Sequence, residues 1–423
     1  MFEDFLKQSL TDLDRRNLRR SLPPAGGATG PAAERGARTL HNFSSNDYLG
    51  LAAHPALVNA AARAARDFGA GAGSSRLVSG TQRPHRDLED KLCGFKRTEA
   101  ALLFGSGYAA STGTLAALAG RGDVILLDRL SHACLIDGAR LSGATLRPFR
   151  HNDLGHLEHH LRWARTKHPS AKVFIVTESV FSMDGDTAPL REIVELKDRH
   201  GAVLVLDEAH AVGVLGRGGR GLAEAAGVAG RIEVQMGTLG KALGSAGGYI
   251  AGSRNLVDFL ANKARSFMFS TAPPAASSAA AQAALDLCAG PEGDQLRARL
   301  RELAGLLDPA PAAAIHPIVL GAEEDALRAS DGLERLGFLV PAIRPPTVPA
   351  GTSRLRVSLS AAHEPATVRQ LAAALAALRE PVAAGDADSV CPVCGAPLTQ
   401  EKCKVVCRSA VCGYRIVFNC SEF

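Results

Sequence analysis

From residue 46 to 286 the chain repeats one pattern: a short unbroken apolar run, then a longer stretch with apolar positions at helical spacing. The runs fall at 101–104, 124–127, 173–176, 203–206 and 234–236. A run that is apolar at every position suits a strand buried on both faces, and such strands alternating with helices build parallel βαβ units. The pattern predicts an α/β fold: a mostly parallel central sheet with helices on both faces. Ligands of such sheets sit beyond the carboxyl ends of the strands. Before this region lies an N-terminal arm, 1–45, where Phe2, Phe5, Leu6 and Leu10 have helical spacing until Pro23-Pro24 and Gly26-Gly27. The apolar stretch 275–289 is Ala/Ser-rich, contains Gln282 and Asp286, and reads as a buried helix. After it, 287–380 reads as a small α+β domain, with helices at 294–307, 324–336 and 366–378 and strands at 316–320 and 354–359. Residues 381–390 lack periodicity and read as a linker, and a Cys-rich tail, 391–423, follows.

A net charge of +5 with no dense basic stripe leaves no footprint for nucleic acid. No apolar stretch is long enough for a membrane span, so no membrane partner is expected. The acidic, amphipathic N-terminus lacks the basic and apolar regions of a signal peptide, making a cytoplasmic location the expectation. Six of the nine cysteines fall in the tail, which without an export signal favours a local metal site over a disulfide framework. Lysine is scarce, ten in all, against a much larger arginine count.

The residues after each run carry the candidate chemistry. Residues 101–104 lead into Gly105-Ser106-Gly107-Tyr108, a Gly-rich turn opening a helix, where free N–H groups suit a phosphate; a tight turn with no ligand reads equally well. Residues 203–206 end in Asp207-Glu208-Ala209-His210, and 173–176 in Thr177-Glu178-Ser179. Residues 234–236 end in Gly237-Thr238-Leu239-Gly240-Lys241. Most lysines here have charged or polar neighbours, but Lys241 has Gly, Thr, Leu and Ala; burial would lower its pKa and leave a neutral amine for a Schiff base. A Schiff-base lysine, an aspartate for a pyridinium nitrogen, a helix start for a phosphate and His132 to stack on a ring together predict a pyridoxal 5'-phosphate site.

These segments resemble the α-oxoamine synthases, fold-type-I pyridoxal-phosphate enzymes that join an amino acid to an acyl thioester. The resemblance rests on Asn42-Phe43-Ser44-Ser45-Asn46-Asp47-Tyr48-Leu49-Gly50, Asp128-Arg129-Leu130-Ser131-His132, the stretch from Thr177 to Asp186, Asp207-Glu208-Ala209-His210 and Thr238-Leu239-Gly240-Lys241. It spans residues 3–380. It implies that Lys241 is the Schiff-base lysine and later the proton-transfer base, that Asp207 pairs with the ring nitrogen, and that His210 bonds the ring's phenolate oxygen. It implies that His132 stacks on the ring and contacts substrate, that Gly107, Tyr108 and Thr238 hold the phosphate, and that Ser182 contacts the cofactor. Arg19, Arg344, Thr347 and Arg356 match substrate-binding positions, with Arg356 the expected fork for the amino-acid carboxylate. The segment 342–356 resembles the branch serving biotin synthesis, implying L-alanine and pimeloyl-CoA or a pimeloyl acyl carrier protein as substrates. Another branch, using glycine or serine and a different acyl chain, is the alternative. The family also implies a homodimer with the site at the subunit boundary. Ser111, and the wording of Ser270-Thr271-Ala272-Pro273-Pro274, depart from its usual pattern.

The tail holds Cys391-x-x-Cys394 and, with four residues between them, Cys407 and Cys412. These are two knuckles separated by a dozen residues, as in a tetrahedral four-cysteine zinc ribbon. Cys403 and Cys420 are spare and could replace a ligand. An unstructured Cys-rich tail or a redox cluster is the alternative. A non-catalytic protein with the ribbon as its working part is the reading from a different functional class; the intact Lys241, Asp207 and His132 argue against it.

Overall fold

The computed structural model describes residues 1–309, 311–379, 398–401, 404–407 and 415–417. Contacts divide the chain into two units, Met1–Ala372 and Ala373–Phe423.

In the first unit the five apolar runs are strands Ala100–Phe104, Val124–Asp128, Val173–Glu178, Val203–Asp207 and Val234–Thr238. Thr145–Phe149 and Gly248–Gly252 complete a seven-stranded sheet. Its order is Ala100–Phe104, Gly248–Gly252, Val234–Thr238, Val203–Asp207, Val173–Glu178, Val124–Asp128, Thr145–Phe149. All pairings are parallel except those of Gly248–Gly252, which runs antiparallel to both neighbours. Side chains alternate across the sheet with the period of a strand. Val124, Leu126, Val173, Ile175 and Leu204 pack with Leu157, Leu161, Ile193 and Val194 of the helices Leu154–Lys167 and Leu190–His200. Their neighbours Ile125, Leu127, Phe174, Val176 and Val205 pack with Leu115, Leu135, Val257 and Leu260 of the helices Gly107–Leu118, Ala133–Ser142 and Arg254–Lys263. Both faces are dry, which is why the runs show no polar alternation.

Helices Pro291–Gly305, Glu323–Arg335 and Pro365–Arg379 fall where the periodicity placed them. A small antiparallel sheet orders Ile315–Gly321, Ser353–Ser358 and Ala342–Ile343. The arm contributes helix Phe2–Arg15 and the hairpin Ala32–Arg35/Arg38–Asn42, whose second strand pairs in parallel with Phe338–Leu339. The Ser358 amide donates to the Phe43 carbonyl (2.8 Å) and Ser360 Oγ to the Asp47 carbonyl (2.7 Å), so the small sheet is tied to the segment containing Asn46 and Tyr48.

The second unit contains the end of helix Pro365–Arg379 and an antiparallel three-stranded sheet of Leu398–Glu401, Lys404–Cys407 and Arg415–Val417. The expected linker 381–390 and Cys391, Cys394, Cys403, Cys412 and Cys420 lie outside the described residues. Among the described residues no helix is long and apolar enough to cross a membrane, and no group of three or more His, Cys, Asp or Glu is placed to hold a metal.

Candidate active site

The expected cofactor residues gather at the carboxyl ends of the central strands. Lys241 lies in the turn between Val234–Thr238 and Gly248–Gly252. This turn closes on itself through Leu239 N to Gly247 O (2.9 Å) and Ser245 N to Leu239 O (2.8 Å). Lys241 Nζ sits 2.6 Å from His210 Nε2, and His210 Nδ1 sits 2.6 Å from the hydroxyl of Tyr48. Tyr48 is 1% exposed. Its hydroxyl also reaches Asn46 Oδ1 at 3.0 Å and receives Arg356 Nη2 at 3.4 Å. A lysine–histidine–tyrosine chain therefore ends on a buried arginine.

Electrostatics prepare this chain for amine chemistry. Burial lowers the Lys241 pKa, against the pull of the Asp207 carboxylate, which favours the charged form. Burial, with the nearby lysine and Arg356 adding to it, holds His210 well below the usual imidazole range, so its ring is neutral. Asp207 is buried at the end of its strand and burial raises its pKa, with Lys241 opposing. Glu178, at the end of the adjacent strand, is pushed well above the ordinary carboxyl value by burial and then by Asp207. Its Oε1 accepts the backbone N–H of His132 (2.6 Å).

One residue past Asp207, Glu208 makes a structural pair. Its Oε2 meets Lys96 Nζ at 2.5 Å, with both side chains at most 2% exposed, and its Oε1 accepts the Ala223 amide at 2.9 Å. A second cluster joins two loops of the site. His151 Nδ1 lies 3.1 Å from Asp128 Oδ1 and its Nε2 2.7 Å from Asp186 Oδ2. Burial opposes the charge on this ring, but the two carboxylates outweigh it and raise its pKa to about 10.

The site fits pyridoxal phosphate. Asp207 accepts one hydrogen bond, Ala209 N to Oδ1 at 2.8 Å, and its second oxygen has no partner among the described residues, as a protonated ring nitrogen requires. The helix Gly107–Leu118 opens with Ser106 Oγ accepting the Ala109 amide, while the Gly107 and Tyr108 amides have no acceptor among the described residues. A helix start of this kind binds phosphate. The backbone is crowded there: a Cβ on Gly248 would lie 2.5 Å from the Gly107 nitrogen, and one on Gly107 would lie 3.1 Å from Met236 Cε and 3.4 Å from Thr238 Cβ. Thr238 Oγ1 is on the same wall, donating to Gly247 O at 3.1 Å.

The expected substrate residues divide into two places. Arg356 is buried, with Nε on the Ser182 carbonyl (2.5 Å) and Nη1 on Asn46 Oδ1 (3.1 Å) and Ser358 Oγ (2.7 Å). Ser182 meets it through its main chain. Arg19 and Arg344 line a separate cavity of about 870 Å³ between the arm and the small sheet. Arg19 pairs with Asp14 (2.7 Å), Arg344 donates to the Asn17 and Arg19 carbonyls, and Thr347 Oγ1 accepts Arg20 Nη2 (3.4 Å). Tyr48, Asn46, Glu178 and Cys134 were not singled out from the sequence. The first three stand inside the quoted motifs, the only signal that could have found them.

A family described as aminotransferase class I and II matches residues 38–375. The chain belongs to this family, as a pyridoxal-phosphate-dependent acyltransferase. It is 52% identical over 385 residues, 89% of this chain and 95% of the relative, to the 8-amino-7-oxononanoate synthase of Anaeromyxobacter dehalogenans. Among solved structures, a serine palmitoyltransferase variant from S. paucimobilis with bound pyridoxal phosphate and myriocin matches with a TM-score of 0.82 and 29% identity, over 89% of this chain and 96% of that one. The 8-amino-7-oxononanoate synthase of Francisella tularensis matches with a TM-score of 0.67 and 26% identity, over 80% and 96%.

Proposed function

We propose that this chain joins L-alanine to a pimeloyl thioester with loss of CO₂, the 8-amino-7-oxononanoate synthase reaction of biotin biosynthesis. The observation that carries this reading is the near-full-length 52% identity to a synthase of that name, supported by Lys241 Nζ lying 2.6 Å from His210 Nε2 and within the influence of the Asp207 carboxylate. The structural likeness to a serine palmitoyltransferase reflects the shared fold and amino-acid chemistry.

Bound pyridoxal phosphate supplies an electron sink for bond changes at the amino-acid Cα. Asp207 would pair with its ring nitrogen, and the Gly107 and Tyr108 amides with Thr238 would hold its phosphate. His132 and Ser182 would complete the cofactor's surroundings, and His210 would bond its ring oxygen. Lys241, whose pKa burial lowers, would be the amine that bonds the cofactor and the base that takes the Cα proton at Nζ. His210 and Tyr48 keep that amine in place. The balance is simple: the alanine Cα bonds the thioester carbonyl carbon, the thiol of the carrier leaves, the alanine carboxyl leaves as CO₂, and a proton returns to Cα. Arg356 would take the amino-acid carboxylate through its least engaged nitrogen, Nη2, and Arg19, Arg344 and Thr347 would meet the acyl substrate. Coenzyme A and an acyl carrier protein both suit as carrier. A homodimer and a cytoplasmic location fit this reading.

For the tail, we infer a four-cysteine zinc site of Cys391, Cys394, Cys407 and Cys412. Support comes from the spacing and from Cys407 closing the central strand of a small three-stranded sheet, a segment short enough for a metal to help hold together.

The function is tested by mixing purified protein with alanine, glycine or serine, with and without a pimeloyl thioester, and following cofactor absorbance and product. Alanine-dependent, pimeloyl-dependent product is expected, and is lost in Lys241→Ala with the fold retained. Turnover only with glycine or serine would move the protein to another branch. Undiminished turnover in Lys241→Ala would overturn the site. Metal analysis should find one zinc per chain and less in Cys391→Ser; metal-free full-length protein would end the ribbon reading.

A further inference from the structure

The helix that begins at Ala133 dictates more about His132 than its position. His132 is the residue just before the helix, and its Nδ1 lies 3.2 Å from the Cys134 amide nitrogen. An amide N–H can only donate, so Nδ1 presents a lone pair. Cys134 Sγ approaches the same nitrogen at 3.0 Å. Burial pushes this thiol up to about 12, so it keeps its proton and donates as well. The backbone of His132 is pinned from the other side by Glu178 Oε1. With Nδ1 engaged by two donors, the single proton of a neutral ring belongs on Nε2. Nε2 has no partner among the described residues.

We propose that Cys134, through its amide and its thiol, fixes His132 as the Nε2–H tautomer, so that the ring serves the reaction as a hydrogen-bond donor to a carboxylate or carbonyl oxygen of the substrate and not as a base. The donor role rests on the function proposed above; the tautomer does not. In this form the ring offers no lone pair to the cleft, and a protonated ring also only donates. Proton removal at Cα is left to Lys241. Cys134 acts through His132 and is a positioning residue.

The test is nitrogen NMR of holoenzyme labelled with ¹⁵N-histidine, the His132 signals being assigned by their loss in His132→Asn. Wild type should show a protonated Nε2 and a bare Nδ1. Cys134→Ser keeps a side-chain donor and should hold that form. Cys134→Ala should show part of the ring as Nδ1–H, with kcat about 3- to 10-fold below that of Cys134→Ser, the worth of one hydrogen bond. The acid limb of its pH profile should not move, since no base has been lost. A protonated Nδ1 in the wild type would overturn the proposal even if every variant misfolded. Cys134→Ala with ring and kcat both unchanged would overturn the thiol's part in it, because that variant keeps the amide of residue 134. Wild type without alanine-dependent turnover would instead sink the proposed function and leave the tautomer standing.

Discussion

Replacing Lys96 with methionine tests whether the strand end that carries Asp207 is held by a buried charge pair. Methionine matches the lysine stem and removes only the ammonium. Glu208 would keep the Ala223 amide at Oε1 but lose its 2.5 Å partner at Oε2, in a place where its side chain has no exposure to water. Stranding a buried carboxylate costs about 3–5 kcal/mol. At a few degrees per kcal/mol for a chain of this size, thermal unfolding should fall by on the order of 10 °C. The assay is thermal and urea unfolding of cofactor-saturated enzyme, alongside kcat. The double variant Lys96→Met/Glu208→Gln leaves no unpaired ion and should recover most of the stability. Because Glu208 adjoins Asp207, kcat should drop in the single variant and return in the double. A Lys96→Met protein within about 1 kcal/mol of wild type would refute the reasoning, since that penalty follows from burying an unpaired charge.

The His151 clamp makes a prediction about pH. Its folded pKa of about 10 lies above the ordinary imidazole value of 6.5, so its stabilisation is complete below pH 6.5 and fades as pH rises through 10. Urea midpoints of wild type and His151→Gln should differ most at about pH 6 and converge by about pH 10; a gap that widens with pH would contradict the clamp. Gly248→Ala should weaken cofactor binding on the order of tenfold or more, because its Cβ meets unyielding main chain at Gly107. Titration of apoenzyme followed by absorbance would measure this, and wild-type affinity would remove the crowding argument.

The strands legible from sequence were those buried on both faces, where continuous apolar residues leave a run. Gly248–Gly252 escaped because its three apolar residues stand between glycines, and its value lies in closeness to Gly107, which no linear pattern records. Thr145–Phe149 escaped because it is an edge strand, where Arg147 and Pro148 are tolerated. In the site, Lys241, Asp207 and His210 could be read because each follows a strand and differs chemically from its surroundings. Tyr48 and Cys134 could not: a buried tyrosine and a buried cysteine read as core until distances show what their polar atoms touch. The same limit applies to the arm, where the sequence points to Arg19 and the distances add its neighbour Arg20, which reaches Thr347.

The antiparallel strand of the central sheet also sets the order in which the protein can be made. Ala100–Phe104, which leads into the turn at Gly107, is at the sheet edge, and among the described residues its only sheet neighbour is Gly248–Gly252. A ribosome completing Phe104 has made half of a cradle whose other wall is still nearly a hundred and fifty residues from synthesis. Until Gly252 has left the exit tunnel, that edge has nothing to pair with and Lys241 has no closed turn to sit in. The nascent chain is therefore unable to capture its cofactor through most of the making of its larger sheet, and loading becomes a late event that reports the sheet is closed.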